Sequence, residues 1–267
     1  FDFEGSNLSI LIDTLAYNTY VTAYNTNMVA NESFIDSATL RENVVALARN
    51  VGYIPSSRRA ATANVSFTVD LGSGTSKSSV TLKAGLVALG DFANTNYTFC
   101  VSEDIISPVT DGFAEFTIDI KQGTFVTNEF VVDTSQPNQK FIIPNAYVDT
   151  STLKVQVRDT LTSSSRKTYS QIDNIVGIST HSETFLIQEI QDEKYELLFG
   201  DGVLGKRLSN GNVINSTYIV TDGVGGNGVS NFSFSGKLVD NDGGLITSGI
   251  SGIITNEKSS NGAEVES

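Results

Sequence analysis

Residues 195–228, YELLFGDGVLGKRLSNGNVINSTYIVTDGVGGNG, leave the backbone few options. Tyr195 to Phe199 is an apolar run of β-forming residues, Gly200, Asp201 and Gly202 turn the chain, and the Asn210-Gly211 turn signal precedes a second run from Val213 to Val220. Gly223, Gly225, Gly226 and Gly228 close the stretch. Glycine recurs where backbone must take φ > 0 or meet another backbone closely, so the spacing predicts a strand, a compact loop and a strand. Gly200, Gly205 and Lys206 also satisfy the spacing of a phosphate-binding loop. That reading fails twice. Arg207 stands where a hydroxyl must reach magnesium, and Ser209-Asn210-Gly211 and a strand follow where phosphate needs a helix N-terminus.

The rest of the chain divides by hydrophobic period. Over residues 6–31, Leu8, Leu11, Ile12 and Leu15, then Tyr17, Val21, Tyr24 and Met28, recur at three and four, with Ser6 placed to cap. This predicts a long helix with two apolar faces, one buried on its own chain and one needing a neighbour. A simple helical hairpin and an oligomer-forming bundle both fit. A second helix follows, with Thr39 and Glu42 as a capping box, Leu40, Val44, Leu47, Ala48 and Val51 as its stripe, and Gly52 as its stop before Pro55.

From Ala63 the period is two: Val65, Phe67 and Val69, then Val80 and Leu82. Further strands are predicted at 97–101, 113–120, 124–132, 140–143, 152–158, 184–189, 232–238 and 245–254, with the polar stretch 160–173 as a boundary or exposed loop. The predicted fold class is α+β, an N-terminal helical hairpin followed by a mainly antiparallel β region, sandwich or barrel-like.

Two separated patterns carry a resemblance. F-G-D-G, a glycine three residues on, S-N-G before a strand, and G-x-G-G-N-G over 199–228 resemble the core module of the baseplate J-like and T-even-type baseplate wedge proteins of contractile phage tails. Asp13, Leu15, Ala16 and Tyr17, followed by TLRENVVALARNVGYIPSSRRAATA from Thr39, resemble the N-terminal region of the T-even-type wedge subunit. The resemblance implies 1–60 as a bundle-forming helical region, 61–165 as a first β domain, 166–257 as the baseplate J-like β core, and 258–267 as the start of a further segment. It also implies a structural virion protein of the tail baseplate, assembled in the host bacterial cytoplasm. Its partners would be a second or further copy of itself and other wedge proteins. Leu8, Leu15, Tyr17, Val21, Tyr24 and Met28 would then form a subunit interface, and Gly200, Asp201, Gly202, Gly205, Gly211, Gly225 and Gly228 a structural loop.

Composition narrows the other possibilities. A formal charge of −13, from 17 basic and 30 acidic residues, opposes binding to nucleic acid or anionic membrane, and no apolar run reaches the length of a membrane span. Arg58-Arg59, Arg166-Lys167 and Lys206-Arg207 read as solvated loop pairs. The lone His181 and lone Cys100 exclude histidine pairs and cysteine metal clusters, and Cys100 reads as a buried small hydrophobe. Glu189, Asp192, Glu193 and Glu196 suggest a glycosidase pair or a solvated hairpin end, and Asp240, Asp242 and Gly243 a partial calcium loop or a tight turn. The chain is therefore expected to be no enzyme and to hold no cofactor or metal. A carbohydrate-binding or adhesin-like β protein is the alternative, suggested by its Asn/Ser/Thr/Gly-rich strands.

Overall fold

The change of period near residue 61 is also a change of architecture. The computed structural model describes residues 7–50, 53, 55–172 and 177–266, in two compact units, one ending at Pro55 and one spanning Ser56–Glu266.

In the first unit, α1 spans Asn7–Glu32 and α2 Arg41–Asn50. The Thr14, Thr19 and Thr26 hydroxyls donate to the carbonyls of Ile10, Leu15 and Thr22 at 2.8 Å, so these polar side chains are satisfied by the helix itself. Glu32 supplies the cap of α2. One carboxylate oxygen accepts from the Thr39 N–H and hydroxyl, and the other from the Leu40 N–H and the Asn43 amide. The expected capping box involved Thr39 and Glu42; the carboxylate found on Thr39 comes from the end of the preceding helix. Ser6, Val51 and Gly52 lie outside the described residues.

The Asn43 amide, then the Thr39 N–H and hydroxyl, pull the Glu32 carboxyl down from 4.5 to about 2. A depressed carboxyl contributes stability above its unfolded value, and that contribution fades as pH falls from 4.5 through about 2. A carboxyl NMR titration should show the Glu32 midpoint far below the other glutamates, with the first amides of α2 losing exchange protection in step.

The second unit opens with β1 (Thr62–Asp70), β2 (Ser79–Leu82), β3 (Gly85–Phe92), β4 (Thr95–Val101), β5 (Ile105–Thr110) and β6 (Phe113–Gln122). Next come β7 (Thr124–Val131), β8 (Phe141–Ile142), β9 (Val148–Arg158), β10 (Lys167–Gln171), β11 (Thr184–Glu189), β12 (Tyr195–Phe199) and β13 (Val213–Val220). β14 (Asn231–Phe234), β15 (Leu238–Asp240), β16 (Leu245–Ile246) and β17 (Ile254–Ser260) complete it. The architecture is α+β, as the change of period predicts, with a ten-stranded and a seven-stranded sheet.

The ten-stranded sheet runs β14-β3-β4-β6-β5-β2-β15-β16, with β1 joining β6 to β17. Alternating burial along β1 and β6 sends Val65, Phe67 and Val69 into one core with Phe116, Ile118 and Ile120. Cross-strand partners Phe67 and Phe116 stack with ring centroids 4.9 Å apart. The seven-stranded sheet runs β7-β13-β9-β10-β11-β12-β8, antiparallel except for the β10–β11 pair. Its core gathers Phe141, Tyr169, Phe185, Tyr195, Leu197, Ile214 and Tyr218. A small cluster of Ala60, Cys100 and Ile219, with Phe125 against it, joins the two sheets.

Four strands lacked a legible period. A register shift between Leu86 and Ala88 breaks the alternation of β3, and β5 carries Pro108. β10 buries only Tyr169 and is held by backbone pairing to both neighbours; it lies inside the stretch read as a boundary or loop. β17 buries only Ser259. The runs predicted at 232–238 and 245–254 are shorter strands separated by turns.

The first and last residues of this unit lie together. Arg59 and Ala263 exchange backbone hydrogen bonds at 2.9 and 3.0 Å, the Glu266 N–H donates to the Ser56 carbonyl, and the Ser56 N–H to the Glu266 carboxylate.

Candidate functional site

The glycine-rich module is built on two strands of the seven-stranded sheet. β12 pairs with β11 and β8, and β13 lies between β7 and β9 along its length. Between them the chain makes a knuckle. Gly200 packs directly on Gly205, where an added Cβ would stand 2.3 Å from the Gly205 carbonyl carbon. One Asp201 carboxylate oxygen accepts from the Val203 and Leu204 N–H groups at 2.8 and 2.9 Å. The Gly202 N–H donates to the Gly205 carbonyl, and those of Gly205 and Lys206 to the carbonyls of Ser179 and Ser182. Gly202 and Gly205 take φ of 93° and 83°. The result is a rigid loop whose tip, Val203 and Leu204, is exposed.

This arrangement leaves the phosphate-loop spacing with no free amides to offer a phosphate. The amides of residues 202–206 are committed to internal acceptors, and the Lys206 ammonium sits 2.7 Å from Glu183. The two Leu204 and Val203 amides also hold the Asp201 carboxyl below its usual range.

The remaining glycines of the set do different jobs. Gly211 has φ 82° with open space around it, and Gly228 has φ 92° against the Phe92 ring. A Cβ on Gly225 would meet only ordinary contacts at 3.7 and 3.8 Å. Gly226, outside the expected set, packs on the Gln122 side chain. Buried Gln122 in turn accepts from the Thr221 hydroxyl and the Asp222 N–H, tying the end of β6 to the end of β13.

The four carboxylates are spread over two strands and the turn between them. Glu189 is opposite Tyr195 and Glu196 opposite Gln188, and because cross-strand partners share a face, the two glutamates project from opposite faces of the sheet. Asp192 and Glu193 occupy the intervening turn, both at positive φ. At 240–244 the Lys77 ammonium occupies the place of a cation, 2.8 Å from Asp240 and 2.6 Å from Asp242, while Asp240 also accepts from the Asp242 and Gly244 N–H groups. His181 is exposed beside Thr180. Among the described residues no three His, Cys, Asp or Glu side chains converge, and no helix is long and apolar enough to cross a membrane.

Arg58 is not the solvated loop charge the sequence suggested. It is mostly buried, pairs with Glu264 at 2.8 Å, stands 3.8 Å from Glu193 and lies over the Tyr147 ring at 4.2 Å. Its partners are far away in sequence, so no local signal marks it.

Cys100 is buried in β4, and burial pushes its thiol up to about 12. At that value only about one thiol in ten thousand is ionised at pH 8, so a disulfide reagent should label the native chain more than about a hundredfold more slowly than the denatured one.

In the helical unit, Leu8, Leu15, Tyr17, Tyr24 and Met28 are exposed, from 41% at Met28 to 68% at Tyr17, and Val21 is half-buried. Within the helical unit, the described residues do not cover the stripe expected to be buried, since Leu11 and Ile12 are exposed as well. At 100° per residue, the stripe of Leu8, Leu11, Ile12 and Leu15 and the stripe of Tyr17, Val21, Tyr24 and Met28 lie on roughly opposite sides of α1.

Residues 1–53 match the family model described as baseplate wedge protein gp6-like, helical domain. The chain is also 30% identical to baseplate wedge protein gp6 of Enterobacteria phage T4 over 261 residues, an alignment covering 90% of this chain and 38% of the relative. The chain is similar to the gp6-like baseplate wedge proteins in its N-terminal helices and to one such protein over most of its own length. It spans well under half the length of the curated relative it matches. The family match falls on α1 and α2, and of these two it is α1 that leaves large apolar side chains exposed.

Proposed function

We propose that this chain acts as a structural, non-enzymatic part of a contractile phage tail baseplate wedge, resident in the virion and assembled in the host bacterial cytoplasm. The observation that carries the reading is α1, where two apolar stripes are exposed to water. A helix apolar on both sides is stable only when neighbours cover it, so α1 is a docking element. Its neighbours are a second or further copy of this chain and other wedge proteins, packed as a bundle around Leu8, Leu15, Tyr17, Val21, Tyr24 and Met28. The glycine-rich module is the rigid platform of the β unit. Nucleic acid and membrane are not partners in this reading.

Replacing Tyr17, Val21 and Tyr24 together by Ser, Thr and Ser should abolish co-purification of the full-length protein with its wedge partners and leave the melting of the β unit unchanged. Normal assembly of that variant would sink the bundle assignment.

A further inference from the structure

The ladder of β1 and β17 continues past both strands. Thr62 stands opposite Ser260 and Arg59 opposite Ala263, and the Glu266 N–H reaches the Ser56 carbonyl at 3.1 Å, so residues 261–266 run antiparallel to 56–59 in the same register. Asn261, at φ 65°, separates this extension from β17.

The extension is held differently from the strand pair. Val65, Phe67 and Val69 anchor β1 in the apolar core, whereas no residue from 261 to 266 is buried. Its bonds are polar. Arg59 and Ala263 exchange backbone hydrogen bonds, and the Glu266 carboxylate accepts from the Ser56 N–H. The Asn227 side chain accepts from the Gly262 N–H at 2.9 Å and donates to the Gly262 carbonyl at 3.0 Å. Opening a segment of this kind uncovers little apolar surface, so it needs no loss of the core.

Arg58 ties the extension to strained backbone. Besides Glu264, its guanidinium meets Glu193 and the Tyr147 ring, and Glu193 and Tyr147 hold φ of 54° and 61°. Neither is glycine, so both carry strain at the point where Arg58 grips the extension.

We infer that residues 261–266 are a strap that opens from 56–59 as one unit while β1 and β17 stay paired, with Arg58 as its latch and Asn261-Gly262 as its hinge. Opening separates the 56–59 and 261–266 segments and disturbs neither sheet core. It does not depend on what α1 docks against.

Hydrogen exchange on the full-length protein, read by NMR, is the test. The Arg59, Gly262, Ala263 and Glu266 amides should share one level of protection that low urea leaves unchanged, about a hundredfold or more below that of the amides β1 shares with β6. Arg58→Met, which keeps the aliphatic stem, should lower that shared protection by about tenfold and leave β1 unchanged. Gly262→Ala should do the same without touching Arg58, because its Cβ would stand 2.3 Å from the Gly223 carbonyl oxygen. Three results overturn the inference: strap amides protected as strongly as β1, strap amides with no protection in the unaltered chain, or a variant of either kind that shifts strap and β1 by equal amounts, zero included.

Discussion

Gly200→Ala should lower the stability of the β unit by about 3 kcal/mol or more, which for a domain of this size is a fall in melting temperature of roughly 6–12 °C. φ at Gly200 is not in the left-handed region, so the cost is steric. The new Cβ would lie 2.3, 2.5 and 2.7 Å from the carbonyl carbon, carbonyl oxygen and Cα of Gly205, all backbone atoms that cannot rotate away. Gly211→Ala meets nothing within 4 Å and pays only for φ 82°, about 1 kcal/mol. Gly225→Ala meets neither obstacle and should be close to neutral. Calorimetric melts of the three variants test the ranking, and a Gly200→Ala melt indistinguishable from Gly225→Ala would refute the knuckle geometry.

Asp149→Ala is the second large effect. Asp149 is 1% exposed, and its carboxylate accepts from the Ala60 N–H at 2.9 Å, the Ser151 N–H at 3.0 Å and the Ser151 hydroxyl at 2.6 Å. Truncation leaves the buried Ala60 N–H without its acceptor at the joint where Ala60 packs with Cys100 and Ile219 between the sheets, whereas exposed Ser151 can turn to water. The expected loss is about 2 kcal/mol, since one unsatisfied buried donor costs about 1–3 kcal/mol. Asp149→Asn keeps one carbonyl acceptor and should lose about half as much. Chemical denaturation of both variants checks this. Equal midpoints for Asp149→Ala and the unaltered chain would show that the joint does not depend on this carboxylate.

Some of this was legible in the sequence for a physical reason. The two-residue period of Val65, Phe67 and Val69 is a local consequence of which side faces a core, and the three-and-four spacing over 6–31 of the helix geometry itself; the structure has a strand and a helix there. Turn chemistry at 200–202 and 210–211 was legible for the same reason. Where the answer depends on a distant segment, the letters are silent. Gly200 and Gly211 are the same residue type, yet one is required by the approach of Gly205 and the other by its own φ. Arg58 reads as a surface charge until Glu264 and Tyr147 are brought to it. Glu32 reads as an ordinary helix-end residue until Thr39 and Asn43 turn back onto it. β10 is too polar to show a stripe because backbone pairing on both edges holds it. The apolar surface of α1 was visible from the sequence, but only the structure shows that the described residues of the helical unit leave both stripes exposed.

The account turns on whether that surface is covered in the assembly. Nitration footprinting of Tyr17 and Tyr24 compares the free full-length chain, where both rings are mostly exposed, with intact baseplates containing it. Protection of both tyrosines in the baseplate, with Tyr147 of the β unit as an internal reference, is the result the account requires. Equal reactivity of Tyr17 and Tyr24 in the free chain and in the baseplate would contradict it, because α1 would then be carrying its apolar stripes into the particle unburied.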